Sequence, residues 1–146
     1  MRFYVLMSLF FSQIAFAQEA FNFKRDLPLI LKAQEALQGS DCSMKLENFK
    51  DNIFVELRSK KKSDASNFHS VITLKEQKVK DSKLTTIFTT TWFQNVLFSQ
   101  KKFVTKLIID EVDDQVTSVK MKTRESGATI YSPVLRFSTV KCRLDN

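Results

Sequence analysis

LTTIFTTTWF, from Leu84 to Phe93, decides how this chain folds. Taken with a period of two, it sets Leu84, Thr86, Phe88, Thr90 and Trp92 on one face and Thr85, Ile87, Thr89, Thr91 and Phe93 on the other. Five threonines and two aromatics beside Phe88 favour an extended backbone, because β-branched and aromatic side chains fit a pleated surface. Neither face is strongly polar. That suits a central strand, or a strand lining a semi-polar cavity in a closed sheet.

The same alternation extends outward. Ile53, Val55 and Leu57 alternate with Glu56 and Arg58, and Val71 to Leu74 is short and β-branched. Phe103, Leu107 and Ile109 alternate with Lys106 and Asp110, and Val119 and Met121 with Lys120 and Lys122. Leu135 and Phe137 alternate with Arg136 and Ser138 in a last run to about Leu144. Polar turns at Glu111 to Gln115 and Glu125 to Gly127 separate these strands. Connections this short join antiparallel neighbours, since parallel ones need a long crossover.

Upstream the period changes to 3.6. Asp26 caps Leu27, Pro28 occupies the first turn, and Leu27, Ile30, Leu31 and Leu37 fall near one helical face. Gly39 ends the helix, and Gln18 to Arg25 before it is extended or frayed. The fold class is therefore α+β. An N-terminal helix packs on a curved antiparallel meander of five to seven strands, curved enough to be nearly closed.

Residues 1–17 read as a cleaved secretory signal: Arg2, then an apolar stretch, then Ala15-Phe16-Ala17 before Gln18. Residues 18–146 form a single domain, exported to a periplasmic or extracellular space and not membrane-spanning. The whole chain has 146 residues, 23 basic against 16 acidic, and a net charge of +7. With only two glycines it has little material for a glycine-built phosphate loop.

Cys42 and Cys142 are the only cysteines, and in an oxidising compartment such a pair forms a disulfide. The pairing conflicts with one topology. If residues 43–48 open a strict seven-strand meander, Cys42 and Cys142 stand at opposite rims, too far apart to bond. Either that segment is a connection, or Pro133 marks an extra bend, or the cysteines are free. The first two are preferred.

Catalytic constellations are sparse. His69 is the only histidine, and Ser66, Ser70 and Asp64 around it do not form a nucleophile elbow. Asp110, Glu111, Asp113 and Asp114 lack the spacing of a calcium loop and read as a solvated hairpin turn. Neither a metal nor a cofactor is implied. The cations cluster more tellingly: Arg58, Lys60, Lys61 and Lys62; Lys101 and Lys102; Lys120, Lys122 and Arg124. In the meander these three groups share one rim, while Lys78, Lys80, Lys83 and the acidic turn take the other. Trp92, Phe93, Leu97 and Phe98 add an apolar lip beside the basic rim.

The expectation is an exported, non-enzymatic binding protein whose basic rim meets an anionic or amphipathic envelope partner. An anionic lipid, a glycan or an acidic protein would fit, and nucleic acid is disfavoured because no recognition motif is present. A secreted inhibitor or assembly factor is the alternative, and a small hydrolase using His69 a weaker one.

Overall fold

The computed structural model describes residues 18–60, 65–69, 73–96, 99–126 and 137–144. The signal segment, Lys61, Lys62, Leu97, Phe98, Gly127 and Pro133 lie outside these residues.

Two short hydrogen-bonded features start the domain. Strand β1 (Glu19–Ala20) is followed by helix α1 (Phe23–Ala36). The helix begins four residues earlier than the sequence reading places it, because Asn22 and not Asp26 is its cap. Asn22 Oδ1 accepts from the Arg25 N–H at 2.9 Å, and Asp26 Oδ2 accepts from the Asn22 N–H at 2.8 Å. The two side chains thus satisfy orphan donors reciprocally, like a capping box stretched by one residue. Pro28 consequently sits in the second turn, where the helix forgoes one bond at an exposed position. Gly39, at φ +80°, lies in the turn that follows.

Eight strands succeed one another: β2 (Cys42–Phe49), β3 (Asn52–Ser59), β4 (Ala65–His69), β5 (Thr73–Lys80), β6 (Lys83–Val96), β7 (Ser99–Val112), β8 (Gln115–Ser126) and β9 (Phe137–Arg143). Every pairing is antiparallel. They form two sheets, one ordered β1-β5-β6-β7-β8-β9 and one ordered β2-β3-β4. The central strand expected at Leu84 to Phe93 is β6, in the middle of the larger sheet. Two-residue turns at Asp81–Ser82 and Asp113–Asp114 have positive φ at both positions, the twist that antiparallel hairpins favour. Of the acidic stretch, Asp113 and Asp114 are thus the hairpin turn, while Asp110 and Glu111 belong to β7 and Glu111 is buried rather than solvated.

The larger sheet is open, with β1 and β9 as unpaired edges among the described residues, so the nearly closed sheet is corrected. A second layer covers its inner face. Ile30 and Ala33 of α1 and Leu37 at its C-cap, with Met44, Ile53, Val55 and Leu57 of the smaller sheet, bury Phe88, Leu107, Ile109, Val119, Met121 and Val140. Phe21 meets Phe88 edge-on at 5.8 Å.

Cys42 and Cys142 are joined, with Cα atoms 6.0 Å apart, and tie the smaller sheet to the edge of the larger. The parity conflict resolves in a way neither preferred option anticipated. Residues 43–48 are a strand, and between β3 and β6 stand two strands in different sheets, β4 and β5, where one was expected; Thr73 and Leu74 of the expected run open β5, and Val71 and Ile72 lie outside the described residues. Eight strands return the chain to the end from which β2 started.

Asp26, 1% exposed, anchors the second layer electrostatically. It accepts from Arg25 Nε at 3.1 Å and from Lys75 Nζ of β5 at 2.9 Å, while Arg25 also bonds the Ala20 carbonyl and pairs with Glu19. Burial alone would push its carboxyl up; the bonds from Arg25, the Asn22 N–H and Lys75 outweigh it and hold the group below the usual carboxylate range. A second tie, Lys32 Nζ to Glu111 Oε2 at 3.0 Å, fastens the helix to β7.

Candidate functional site

The register of β7, β8 and β9 brings cations together on the outward face of the larger sheet, turned away from α1 and the smaller sheet. Side chains on one strand alternate between faces, and residues paired across strands share a face. With Leu107, Met121 and Val140 inward, their neighbours Lys106, Lys122 and Thr139 point outward as one rung. The next rung toward the β7–β8 turn is Ile108, Lys120 and Lys141, and the one after it Asp110, Ser118 and Arg143. In the other direction Val104 pairs with Arg124, and Lys102 with Ser126. Seven cations therefore form a diagonal band: Lys102, Arg124, Lys106, Lys122, Lys120, Lys141 and Arg143.

Two of these pairs, Lys106 with Lys122 and Lys120 with Lys141, are like charges directly opposite one another, an arrangement that destabilises a sheet. Among the described residues none of the seven makes an ion pair with a carboxylate. Lys120 shows the consequence. Its partial burial, then the positive charges of Lys122 and Lys141, hold its amine below the usual lysine range. The one carboxylate in these rungs, Asp110, is already engaged by Thr85 Oγ1 at 2.6 Å and Ser118 Oγ at 2.8 Å. A shallow depression of about 410 Å³ opens here, between Lys83, Ser118, Lys120, Lys141 and Arg143.

Of the cations singled out in the sequence, Lys102, Lys120, Lys122 and Arg124 belong to this band. Lys101 does not. It faces inward and pairs with the buried Glu125 at 3.6 Å, whose other oxygen has no hydrogen-bond partner. Arg58 and Lys60 also fall elsewhere, so the shared basic rim is corrected. Cys42 pairs with Ser59 in β3 and is bonded to Cys142, and Cys142 lies toward the end of β9 remote from Arg124's partner Phe137. The additional strand that lets the disulfide form carries Arg58 and Lys60 to the other end. Arg58 there bonds Glu56.

The apolar lip divides between faces. Trp92 turns inward, stacks on Phe103 at 4.3 Å and donates from Nε1 to Thr105 Oγ1 at 3.0 Å. Thr105 in turn bonds Thr123 across the sheet, so this Trp belongs to the interior. Phe93 turns outward, 52% exposed, opposite Lys102. His69 lies in β4 opposite Phe54, and its side chain is outside the described residues. Lys106, Lys141 and Arg143 were missed as site residues. The signal for Lys106 was its alternation with Phe103 and Leu107; Lys141 and Arg143 needed the β8–β9 register.

Among the described residues no three His, Cys, Asp or Glu side chains are grouped to hold a metal, and no helix is long and apolar enough to cross a membrane. Neither protein-family models, nor curated proteins, nor solved structures contain a match to this chain.

Proposed function

We propose that this is an exported, non-enzymatic binding protein that holds an anionic partner against the outward face of its larger sheet. One observation carries the reading: seven cations stand on adjacent rungs with no ion pair to a carboxylate among the described residues, including two like-charge pairs directly across from each other. Such pairs cost stability in the free protein, and a bound anion converts that cost into attraction. The disulfide and the leader-like residues 1–17 support export into an oxidising compartment.

The test compares two charge-matched variants of the oxidised protein, Lys120→Glu/Lys122→Glu on the band and Lys24→Glu/Lys60→Glu away from it. Binding to immobilised heparin and to vesicles containing phosphatidylglycerol is followed as salt is raised. Parent and control should bind at least one of these probes with a log–log salt slope of about −2 to −4, from three to five anion contacts. The band variant should lose at least tenfold in affinity and flatten the slope. Equal losses in both variants, or no binding by the parent, would overturn the reading.

A further inference from the structure

Resting on that reading, we infer that the depression between Lys83, Ser118, Lys120, Lys141 and Arg143 is a binding site for a small hydroxylated phosphate monoester, a polyol or sugar phosphate. Charge alone does not single it out, since Lys78 and Lys80 of β5 and Lys83 of β6 share the same outward face. Its shape does. Between Asp110 and Glu111 the register shifts, and the bulge leaves Thr117 of β8 unpaired with β7 and bends the strand. Thr117 is fixed there by its Oγ1 bond to the Asp110 carbonyl at 3.3 Å and by the Leu144 N–H on its own carbonyl at 3.0 Å. The depression of about 410 Å³ opens at this bulge, within the range of small-molecule sites and much larger than one phosphate ion.

The charges are laid out for such a ligand. Lys120 stands opposite Lys141, and Ser118 opposite Arg143, two residues along the same strands. Three cations and a hydroxyl thus mark the corners of a rectangle of about 5 by 7 Å. A phosphoryl group over its centre can accept from all three cations, from Arg143 as a planar fork and from the lysines as point charges. A phosphate monoester brings three terminal oxygens and roughly two charges to that task, whereas a carboxylate brings two oxygens and one charge. It also relieves the repulsion that, together with burial, holds the Lys120 amine below the usual lysine range.

Acceptors adjoin the cations. Asp110 stands opposite Ser118 on β7; Ser118 Oγ donates to its Oδ2 at 2.8 Å and Thr85 Oγ1 to its Oδ1 at 2.6 Å. With those protons engaged, Ser118 and Asp110 offer the depression acceptors alone, which suit ligand hydroxyls and repel a bare anion. Lys83, from β6, lines the same depression and gives the rest of the ligand a donor.

The experiment titrates glucose 6-phosphate, inorganic phosphate and glucose into the oxidised protein by calorimetry, in a phosphate-free buffer of low salt. Glucose 6-phosphate should bind about fivefold or more tightly than inorganic phosphate, and glucose not measurably. Lys141→Gln and Arg143→Gln should each weaken glucose 6-phosphate by about fivefold or more. Lys78→Gln, on the same face but outside the depression, should change it by less than about twofold. Asp110→Asn should strengthen inorganic phosphate by about twofold and erase the advantage of the sugar, with urea melts confirming that each variant is folded. Vesicles carrying phosphatidylinositol 4-phosphate identify the source. Binding about tenfold tighter than the soluble ester, with the same losses in Lys141→Gln and Arg143→Gln, puts the phosphate on a lipid headgroup, and anything weaker puts it on a soluble molecule. Equal affinities for glucose 6-phosphate and inorganic phosphate, or a loss in Lys78→Gln as large as in Lys141→Gln, overturn the assignment. If these ligands all fail while heparin or phosphatidylglycerol vesicles still respond to Lys120→Glu/Lys122→Glu, the assignment falls and the anion-binding reading stands. If no probe responds to that pair, both fall.

Discussion

Reversing the charge at Lys120 should make the protein more stable while impairing the proposed binding surface. Lys120 lies opposite Lys141 and two residues from Lys122 on the same face, so both neighbours repel it. At a separation of about 6 Å in a water-like medium each interaction is worth about 0.7 kcal/mol before screening, and about half that at physiological salt. Changing lysine to glutamate turns two repulsions into attractions, a gain of about 1.4 kcal/mol. Losing the attraction to Asp110 and adding a repulsion there takes back about half of it. The net expectation for Lys120→Glu is a gain of about 0.7 kcal/mol, and for Lys120→Gln about half of that. With a urea m-value of about 1.5–2 kcal/mol/M for a domain of this size, the unfolding midpoint should rise by about 0.4 M. Urea is uncharged, so the melt can be repeated in 1 M NaCl, where the Debye length shrinks to about 3 Å and the advantage should nearly vanish. Titration supplies a second sign. Because the folded Lys120 amine loses its proton below the unfolded value of 10.5, the unfolded chain binds more protons as the pH climbs into that window. Stability of the parent relative to Lys120→Gln should therefore rise with pH there. A variant less stable than the parent at low salt, or an advantage undiminished in 1 M NaCl, would refute the claim that the band is electrostatically strained.

Three further outcomes follow from the packing. Asp26→Asn should cost about 3 kcal/mol, because Lys75 and Arg25 lose their charged partner in a buried setting. Asp26 contributes above its unfolded pKa near 3.9 and loses that contribution as the pH falls through its lower folded value, so the gap between parent and variant in urea melts should narrow below about pH 4. Phe88→Ala should cost about 3–5 kcal/mol in the same assay, since the ring is fully buried between Phe21 and the sheet. Cys42→Ser/Cys142→Ser should cost about 4 kcal/mol by freeing a loop of 100 residues in the unfolded chain, with near-native circular dichroism in the fraction that folds.

The band sets the stability of the free protein against the proposed binding. A face optimised for the free protein would alternate charges across β8 and β9, as Lys45 opposite Glu56 does in the smaller sheet. Here the alternation is absent where three cation-bearing strands run side by side. Asp110, held by the hydroxyls of Thr85 and Ser118, is the one carboxylate in these rungs that opposes the cations.

Much of the fold was legible locally. Alternation identified β3, β6, β7 and β8, because each has one face in the core, and the acidic turn declared itself by residue type. β4 and β5 were not legible as two strands. Ala65–His69 is short and carries polar residues, while Lys75 to Lys80 lies in a strand that the two-residue β1 covers only at Leu74 and Lys75 and that has few buried positions, so neither shows a clean period of two. The start of α1 was misplaced for a related reason: Asp26 is a good cap by type, but the reciprocal bonds with Asn22 took that place.

By itself, then, the amino-acid order determined what is local: which residues point together along each strand, where the chain reverses, the excess of positive charge and the availability of one cysteine pair. Tertiary structure decided what depends on pairing. Whether a strand joins one sheet or the other depends on partners tens of residues away, and one additional strand inverts which end of the molecule every later or earlier cation occupies. Arg58 and Lys60 left the site because β3 joined the smaller sheet, while Lys141 and Arg143 entered it through the β8–β9 register. Strand register, a property of two segments at once, turned scattered lysines into a continuous charged band.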